Sequence, residues 1–332
     1  MKKKPSLRTK LKISNISLLI AVVMLIVLYL IGARIYDRFG RLSTVLNLLN
    51  DNAYLIVVTV GMTFVLLTGG IDISVASTLA FSGVFSASLL EKGCPAFVVI
   101  PLILLIGTFV GFAQGYAIHT FRIAPFLVTL AGQFLMRGMC AVISTVSIPI
   151  NDRFYKAAAL GKIAWKTSSG GTAKLYYYVF LSLAILILAW YVLRFTRFGR
   201  AVYAVGSNEQ SAQYMGLNVK LVKIGVYAIS GFCAALGGVL FSFYTLAGYS
   251  LQNIGLELDA ISSAVIGGTL LTGGVGTVIG SMIGVLIQGI IQTIVTYQNL
   301  NTWWTKVTIS AILCFFILIQ RIIAIRAEKR KA

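Results

Sequence analysis

The chain has 332 residues, 58% hydrophobic and only 11% charged, with a mean hydropathy of +0.91. Soluble domains carry about 25% charged residues, so this composition excludes a soluble protein and points to a polytopic membrane protein. The net charge of +19 suggests nucleic acid only until its placement is read. Lys2, Lys3, Lys4, Arg8, Lys10 and Lys12 precede Ile13, and Arg321, Arg326, Lys329, Arg330 and Lys331 follow Gln320. Arg194, Arg197, Arg200, Lys220 and Lys223 flank one central loop. Under the positive-inside rule these three segments lie in the cytoplasm, with anionic lipid headgroups rather than nucleic acid as their counterpart. Both termini inside requires an even number of crossings.

The predicted organisation is a basic tail (1–13), one transmembrane domain (14–320) and a second basic tail (321–332). The fold class is all-α, a bundle of about ten spans. The first apolar run, Ile16 to Ala33, is uncharged over 18 residues, close to the ~20 needed to cross the hydrocarbon. It is too long for a signal-peptide core and lacks a small-x-small cleavage site, so it reads as a retained span. Arg34, Asp37, Arg38 and Arg41 then fall outside, against the charge rule, and read as an interfacial stretch.

Spans follow at about 51–69 and 71–90, joined by LLTGGIDISVAS. Gly69 and Gly70 are expected to break the helix, and Asp72 to cap its restart by accepting backbone N–H groups that lipid cannot supply. Further spans are expected at 95–118, 124–147 and 175–194, with the polar segment 148–174 outside. The main cytoplasmic loop runs over 195–221. The last four spans are expected at 222–247, 258–272, 275–297 and 302–320. Leu66-Leu67-Thr68-Gly69-Gly70 recurs as Leu270-Leu271-Thr272-Gly273-Gly274, and Val75-Ala76-Ser77 is echoed by Ile279-Gly280-Ser281. Paired glycine interruptions in two halves of a chain point to a translocation path built from broken helices. Two independent close helix contacts are the plainer alternative.

Catalytic signatures are missing. The chain has no Walker loop, no G-x-S-x-G and no H-E-x-x-H. His119 is the single histidine, and Cys94, Cys140, Cys233 and Cys314 have no metal spacing. Asp72, Arg137, Glu257, Asp259 and Lys306 are the ionisable candidates inside the bilayer. Glu257 and Asp259 read as helix-start acids, and Lys306 as snorkelling to the interface. That set is too thin for a proton relay. In the cytoplasmic loop, Ser207 and Gln210 form a capping box for a helix over Asn208 to Met215, with Gly216 ending it. Ala212 and Met215 are placed on one side. A helix this short is not stable alone, so a receiving surface is expected.

This loop resembles the G-N-x-x-A-A-x-x-(S)G-I pattern of permease subunits in the ribose-type family of ABC sugar importers, with Gly206-Ser207-Asn208 and Met215-Gly216-Leu217 departing from it. LLTGGIDISVAS is similar to the family's G-G-I-D-L-S-V-G, and Ala124-Pro125-Phe126-Leu127-Val128-Thr129-Leu130 to its P-x-F-I-V-T-L-G. Glu257 to Ile261 through Val265 to Thr269 resembles E-L-x-A-I-A-A-V-V-I-G-G-T. Ser147 to Asn151, Ala164-Trp165-Lys166 and Thr302 to Lys306 look closest to one of the two permeases of the galactofuranose importer. The resemblance implies a non-catalytic subunit in the bacterial inner membrane that moves a monosaccharide by alternating access. It implies three partners: a second, paralogous permease, an extracytoplasmic sugar-binding protein, and an ATPase with two nucleotide-binding modules that holds ATP and Mg. It places Asn208, Glu209, Ala212, Gln213, Met215 and Gly216 against that ATPase. The chain itself is expected to hold no cofactor or metal. Polarity alone nominates Asn52, Thr63, Asp72, Thr129 and Gln133 for the substrate path, and Gly69, Gly70, Gly273 and Gly274 as hinges. An ion-coupled secondary transporter, or a membrane enzyme or scaffold, remain the alternatives.

Overall fold

The structure is a computed structural model that describes residues 7–36, 39–166, 172–301 and 303–329. Asp37, Arg38, Thr302 and the terminal charges at Lys2, Lys3, Lys4, Arg330 and Lys331 lie outside the described residues. Helix dominates: α1 (Leu7–Ile35), α2 (Leu42–Leu67), α3 (Val75–Glu91), α4 (Ala96–Thr120) and α5 (Pro125–Ile143) come first. β1 (Ile148–Pro149), α6 (Arg153–Leu160), β2 (Lys162–Lys166) and β3 (Thr172–Tyr176) form the connection to α7 (Tyr177–Phe195). Next come α8 (Arg197–Ser207), α9 (Glu209–Tyr214), α10 (Val219–Thr245) and β4 (Ala247–Gly248). The chain finishes with α11 (Leu256–Ile266), α12 (Val278–Tyr297) and α13 (Trp303–Lys329).

Among the described residues, seven helices are long and apolar enough to cross a membrane: α1, α2, α4, α5, α7, α10 and α12. α3 and the apolar part of α13 are shorter. The segment expected to be helical over 258–272 is helical over only part of that length. α11 holds 11 residues, about 16 Å at 1.5 Å per residue, roughly half the hydrocarbon thickness. Gly267 and Gly268 end it, and an irregular segment runs to Thr277. The break at Gly69-Gly70 is also sharpened. α2 completes 26 residues before Thr68, so the glycines join two helices instead of interrupting one. The expectation of a purely helical chain gives way to two small antiparallel pairs, β1 with β4 and β2 with β3. Asn50 of α2 ties β3 to the bundle, donating to the Lys174 carbonyl at 2.9 Å and accepting the Tyr176 N–H at 3.1 Å.

α2 and α10 are apolar and buried around most of their circumference, as a central helix must be. α1, α4, α5 and α7 turn large apolar side chains outward, among them Leu19, Leu105, Phe134 and Ile187. α4 lies against α10 through Gly107, Gly111 and Gly115, which recur every four residues on one face. Small residues at that spacing let helix backbones approach closely where no hydrophobic force drives association. A Cβ on Gly111 would overlap the Tyr227 carbonyl oxygen. Gly111→Val is therefore expected to cost at least about 1–3 kcal/mol through overpacking, read as a lowered melting temperature of the detergent-purified protein. Gly138 has open space around it, so Gly138→Val is the matched control and should melt like wild type.

Candidate functional site

The two glycine pairs that echo each other in sequence meet in space. At the end of α2 the N–H groups of Thr68, Gly69 and Gly70 turn back to the carbonyls of Val65 and Leu66, between 2.9 and 3.2 Å. Gly69 (φ 79°), Gly273 (φ 75°) and Gly274 (φ 81°) occupy the left-handed region that L side chains avoid. The Gly274 N–H donates to the Leu67 carbonyl at 2.8 Å, joining segment 68–74 to segment 267–277. α3 restarts at Val75 and α12 at Val278, close to matched positions of the echo, while α11 ends well before its own LLTGG.

α8 seals this junction. Its Gly206 lies so close that a Cβ would overlap the Leu67 carbonyl oxygen and press on the Gly274 nitrogen. One turn earlier, the Tyr203 hydroxyl donates to the Gly276 carbonyl at 2.8 Å. Burial pushes the Tyr203 hydroxyl above its ordinary pKa, which keeps it protonated as a donor. The sequence reading missed α8 because its arginines suggest a solvated loop. The helix instead starts from Thr196, whose side chain accepts the Gly199 N–H at 3.1 Å, and it buries Val202 and Val205.

α9 follows immediately, and its cap differs from expectation. Ser207 ends α8, and the extended residue Asn208 (φ −160°, ψ 107°) caps α9 by accepting the Ser211 N–H at 3.0 Å. α9 ends in a Schellman motif, with Leu217 N–H to the Ala212 carbonyl and Gly216 N–H to the Gln213 carbonyl. Gly216 has φ 78° as that motif requires. Ala212 and Met215 do not share a side. Ala212 is buried against the bundle, whereas Gln213, Tyr214 and Met215 are exposed, Tyr214 to 90%. Glu209 pairs with Lys223 of α10 at 2.7 Å. The short helix is thus wound and anchored, with a polar and aromatic face turned outward.

The predicted path residues separate into two groups. Asn52 bonds back to the Leu48 carbonyl within α2, whereas Thr63 meets Ser281 of α12 at 2.7 Å and ties α2 to α12. Asp72 is 1% exposed. Its Oδ1 accepts the Ser74 N–H at 3.0 Å and the Ser74 hydroxyl at 2.7 Å, and its Oδ2 accepts the Ser230 hydroxyl of α10 at 2.7 Å. The capping expectation is corrected: Ser74 stands at the N-cap of α3 without a side-chain cap bond, and Asp72 accepts the N–H of Ser74 itself, outside the helix. Ser74 also lies 3.1 Å from Gln114 Oε1 of α4.

The second group runs along α5. Thr129, Gln133 and Arg137 recur every four residues, about 12 Å of helix. Thr129 donates back to the Pro125 carbonyl at 3.0 Å and lies 3.4 Å from the Ile71 carbonyl. Gln133 donates to Glu257 Oε1 of α11 at 3.3 Å. Arg137 donates to the carbonyls of Ser250 and Gln252 at 2.6 and 3.0 Å. Glu257 is buried, and among the described residues neither its Oε2 nor Gln114 Nε2 has a hydrogen-bond partner. Arg137 and Glu257 were legible as ionisable residues, but only the i, i+4, i+8 spacing puts Arg137 on one face of α5 with Thr129 and Gln133, and Glu257 meets that face from α11 through Gln133. Lys306 also pairs with Asp259 at 2.6 Å across α11 and α13 while its side chain stays part-exposed.

A bundle of apolar helices with polar groups aligned along an inner seam defines an integral membrane protein of transport type. The family described as "Branched-chain amino acid transport system / permease component" matches residues 44–318. Among curated relatives, "Inner membrane ABC transporter permease protein YjfF" of Escherichia coli K12 is 42% identical, with 96% of each chain covered. "Fructose import permease protein FruG" of Bifidobacterium longum is 34% identical over 99% of this chain and 97% of its own. "Ribose import permease protein RbsC" of Haemophilus influenzae is 33% identical over 89% and 90%. No solved structure matches significantly. The chain belongs to this permease family, alongside the ribose-type ABC permeases, as a multi-pass protein of the bacterial inner membrane.

Asp72→Asn can keep the Oδ1 bonds and let Ser230 accept from the new amide, so it should change stability by less than about 1 kcal/mol. Asp72→Ala leaves the Ser74 N–H and the Ser230 hydroxyl without their acceptor and should cost about 2–4 kcal/mol. Thermal melting of both variants in detergent separates a structural tie from a required charge: loss of transport in a normally stable Asp72→Asn protein would show that the charge itself is used.

Proposed function

We propose that this chain is the membrane subunit of an ATP-binding cassette importer that moves a monosaccharide by alternating access. Two of the relatives are named as fructose and ribose import permeases, and the sequence resemblance points to galactofuranose within that class. In this reading α9 faces the cytoplasm and docks on a separate ATPase with two nucleotide-binding modules, which binds ATP and Mg. A second, paralogous permease and an extracytoplasmic sugar-binding protein complete the complex. Both termini lie with α9 on the cytoplasmic side, as the positive charges favour.

The observation that carries the reading is the contact of Gly206 with Leu67 and Gly274. A push on α9 passes into α8 without slack, because backbone meets backbone there. From α8 it reaches the starts of α3 and α12 together. Glu209, Gln213 and Met215 supply the outward contact, while Ala212 anchors α9 to the bundle.

Reconstitution with ATPase and binding protein in vesicles tests this. Uptake of labelled sugar should require ATP and survive dissipation of ion gradients; uptake driven by a gradient without the ATPase would establish a secondary transporter instead. Gly206→Ala should cut uptake at least about tenfold, roughly 1.4 kcal/mol, while ATP hydrolysis continues. If that variant is not monodisperse, Met215→Ala and Glu209→Gln on the exposed face replace it. Unchanged coupling of uptake to hydrolysis in these surface variants would defeat the assignment of α9.

A further inference from the structure

At the α9 end of the bundle, α4 and α10 meet in an antiparallel contact. Gly107 lies against Gly231 and Ala235, Gly111 against Tyr227, and Gly115 against Ile224. Each turn toward the end of α4 therefore moves one turn toward the start of α10, and Tyr116 comes to stand beside Lys220. The Lys220 ammonium lies over the Tyr116 ring, 5.4 Å from its centroid, a cation held by the negative face of an aromatic ring. His119, about one turn further on, has Lys223, Glu209, Lys220 and Arg122 as charged neighbours. Glu209 is the one acid among them, and Lys223 takes it at 2.7 Å. Lys220 and Arg122 are exposed, and neither has a carboxylate partner among the described residues.

The surface around these two cations is apolar. Along α4, Leu105, Phe109, Phe112 and Tyr116 recur at steps of four, three and four residues, and all are exposed, so they form one outward stripe of the helix. The stripe ends at the Tyr116–Lys220 pair. Phe121 and Ile123, which flank Arg122 in the turn between α4 and α5, are exposed as well. Arg122 itself has φ 54°, a left-handed value uncommon for a residue other than glycine. A soluble acidic partner would meet the charges and leave the stripe uncovered. A phospholipid meets both, with its phosphate at the cations and its acyl chain on the stripe.

We propose that this corner binds the headgroup of one anionic phospholipid, held by Lys220 and Arg122 with Tyr116 as its floor. Basic pockets between membrane helices on the cytoplasmic side select anionic headgroups in this way, and the positive-inside rule makes the α9 end the cytoplasmic one. The charge pattern of the sequence assigns lipid to whole basic segments. Here two particular cations, one of them outside those segments, select a headgroup at one place. The site depends on insertion in the membrane and not on the cargo or its energy source.

Lipid binding is read directly from fluorescence quenching. A Phe121→Trp variant of the full chain is reconstituted in phosphatidylcholine vesicles containing increasing fractions of brominated phosphatidylglycerol, with brominated phosphatidylcholine as the control. Quenching is taken as the difference from the parent chain, which has four tryptophans of its own. Phosphatidylglycerol should be preferred at this position by about tenfold, each cation contributing severalfold. Lys220→Gln combined with Arg122→Asn, a side chain that tolerates a left-handed φ, should bring the preference close to unity, whereas Lys220→Arg should retain it. If the double variant fails to insert, Lys220→Gln alone should lower the preference severalfold. Equal quenching by the two lipids in the Phe121→Trp chain overturns the proposal without any further variant. A preference that survives removal of the charges overturns it too. If no headgroup preference exists but the charge-removing variants lose co-purification with the ATPase, the corner is a protein contact and the lipid assignment fails.

Discussion

The carbonyl oxygen of Leu67 accepts the backbone N–H of Gly274 at 2.8 Å and touches the Cα side of Gly206. Three segments far apart in sequence thus share one point of backbone contact, where any side chain would force them apart. The end of α2, the segment before α12 and the last turn of α8 take their positions from it. Through α2 the constraint reaches the centre of the bundle, where α2 and α10 carry much of the buried apolar surface. Fixing backbone against backbone makes a junction with few alternative packings, since there are no rotamers to change.

Polar groups are distributed unevenly along the molecule. Between α2, α3, α4 and α10, Asp72, Ser74 and Ser230 satisfy one another in a compact network that ties the start of α3 to α10. Toward the opposite end, Gln252, Asn253, Glu257 and Thr305 leave buried atoms without partners. A network with all its bonds made resists rearrangement, and one with bonds missing invites it.

Much of this architecture was legible in the sequence, and its limits follow from what sequence patterns encode. Long apolar runs announced seven full-length helices because lipid demands length and apolarity together. The α11 segment misled because its apolar residues continue past Ile266 into a loop that is buried by protein, where hydropathy cannot distinguish helix from turn. The LLTGG echo correctly marked two related turns, but nothing in either copy shows that they touch. α9 was found from its capping chemistry with the cap displaced by one residue, because α8 extends through Ser207 and claims it. Asp72 and Thr129 were nominated for polarity and do approach one another across Ile71. Asn52 and Thr63 shared that polarity but spend it on helix contacts, a difference that only distances reveal. Arg137 was singled out as ionisable, but an isolated arginine gives no hint of the Ser250 and Gln252 carbonyls it reaches.

α9 has a further consequence for assembly. Its six residues are too few to hold a helix unaided, yet the Asn208 cap, the Schellman end and the buried Ala212 wind it in the free chain. A partner that grips α9 meets a surface already ordered, so little conformational entropy is lost on contact. Engagement of that kind can form and release rapidly without melting the helix each time. A contact that must be made and broken in every working cycle is best built from a shape that survives both.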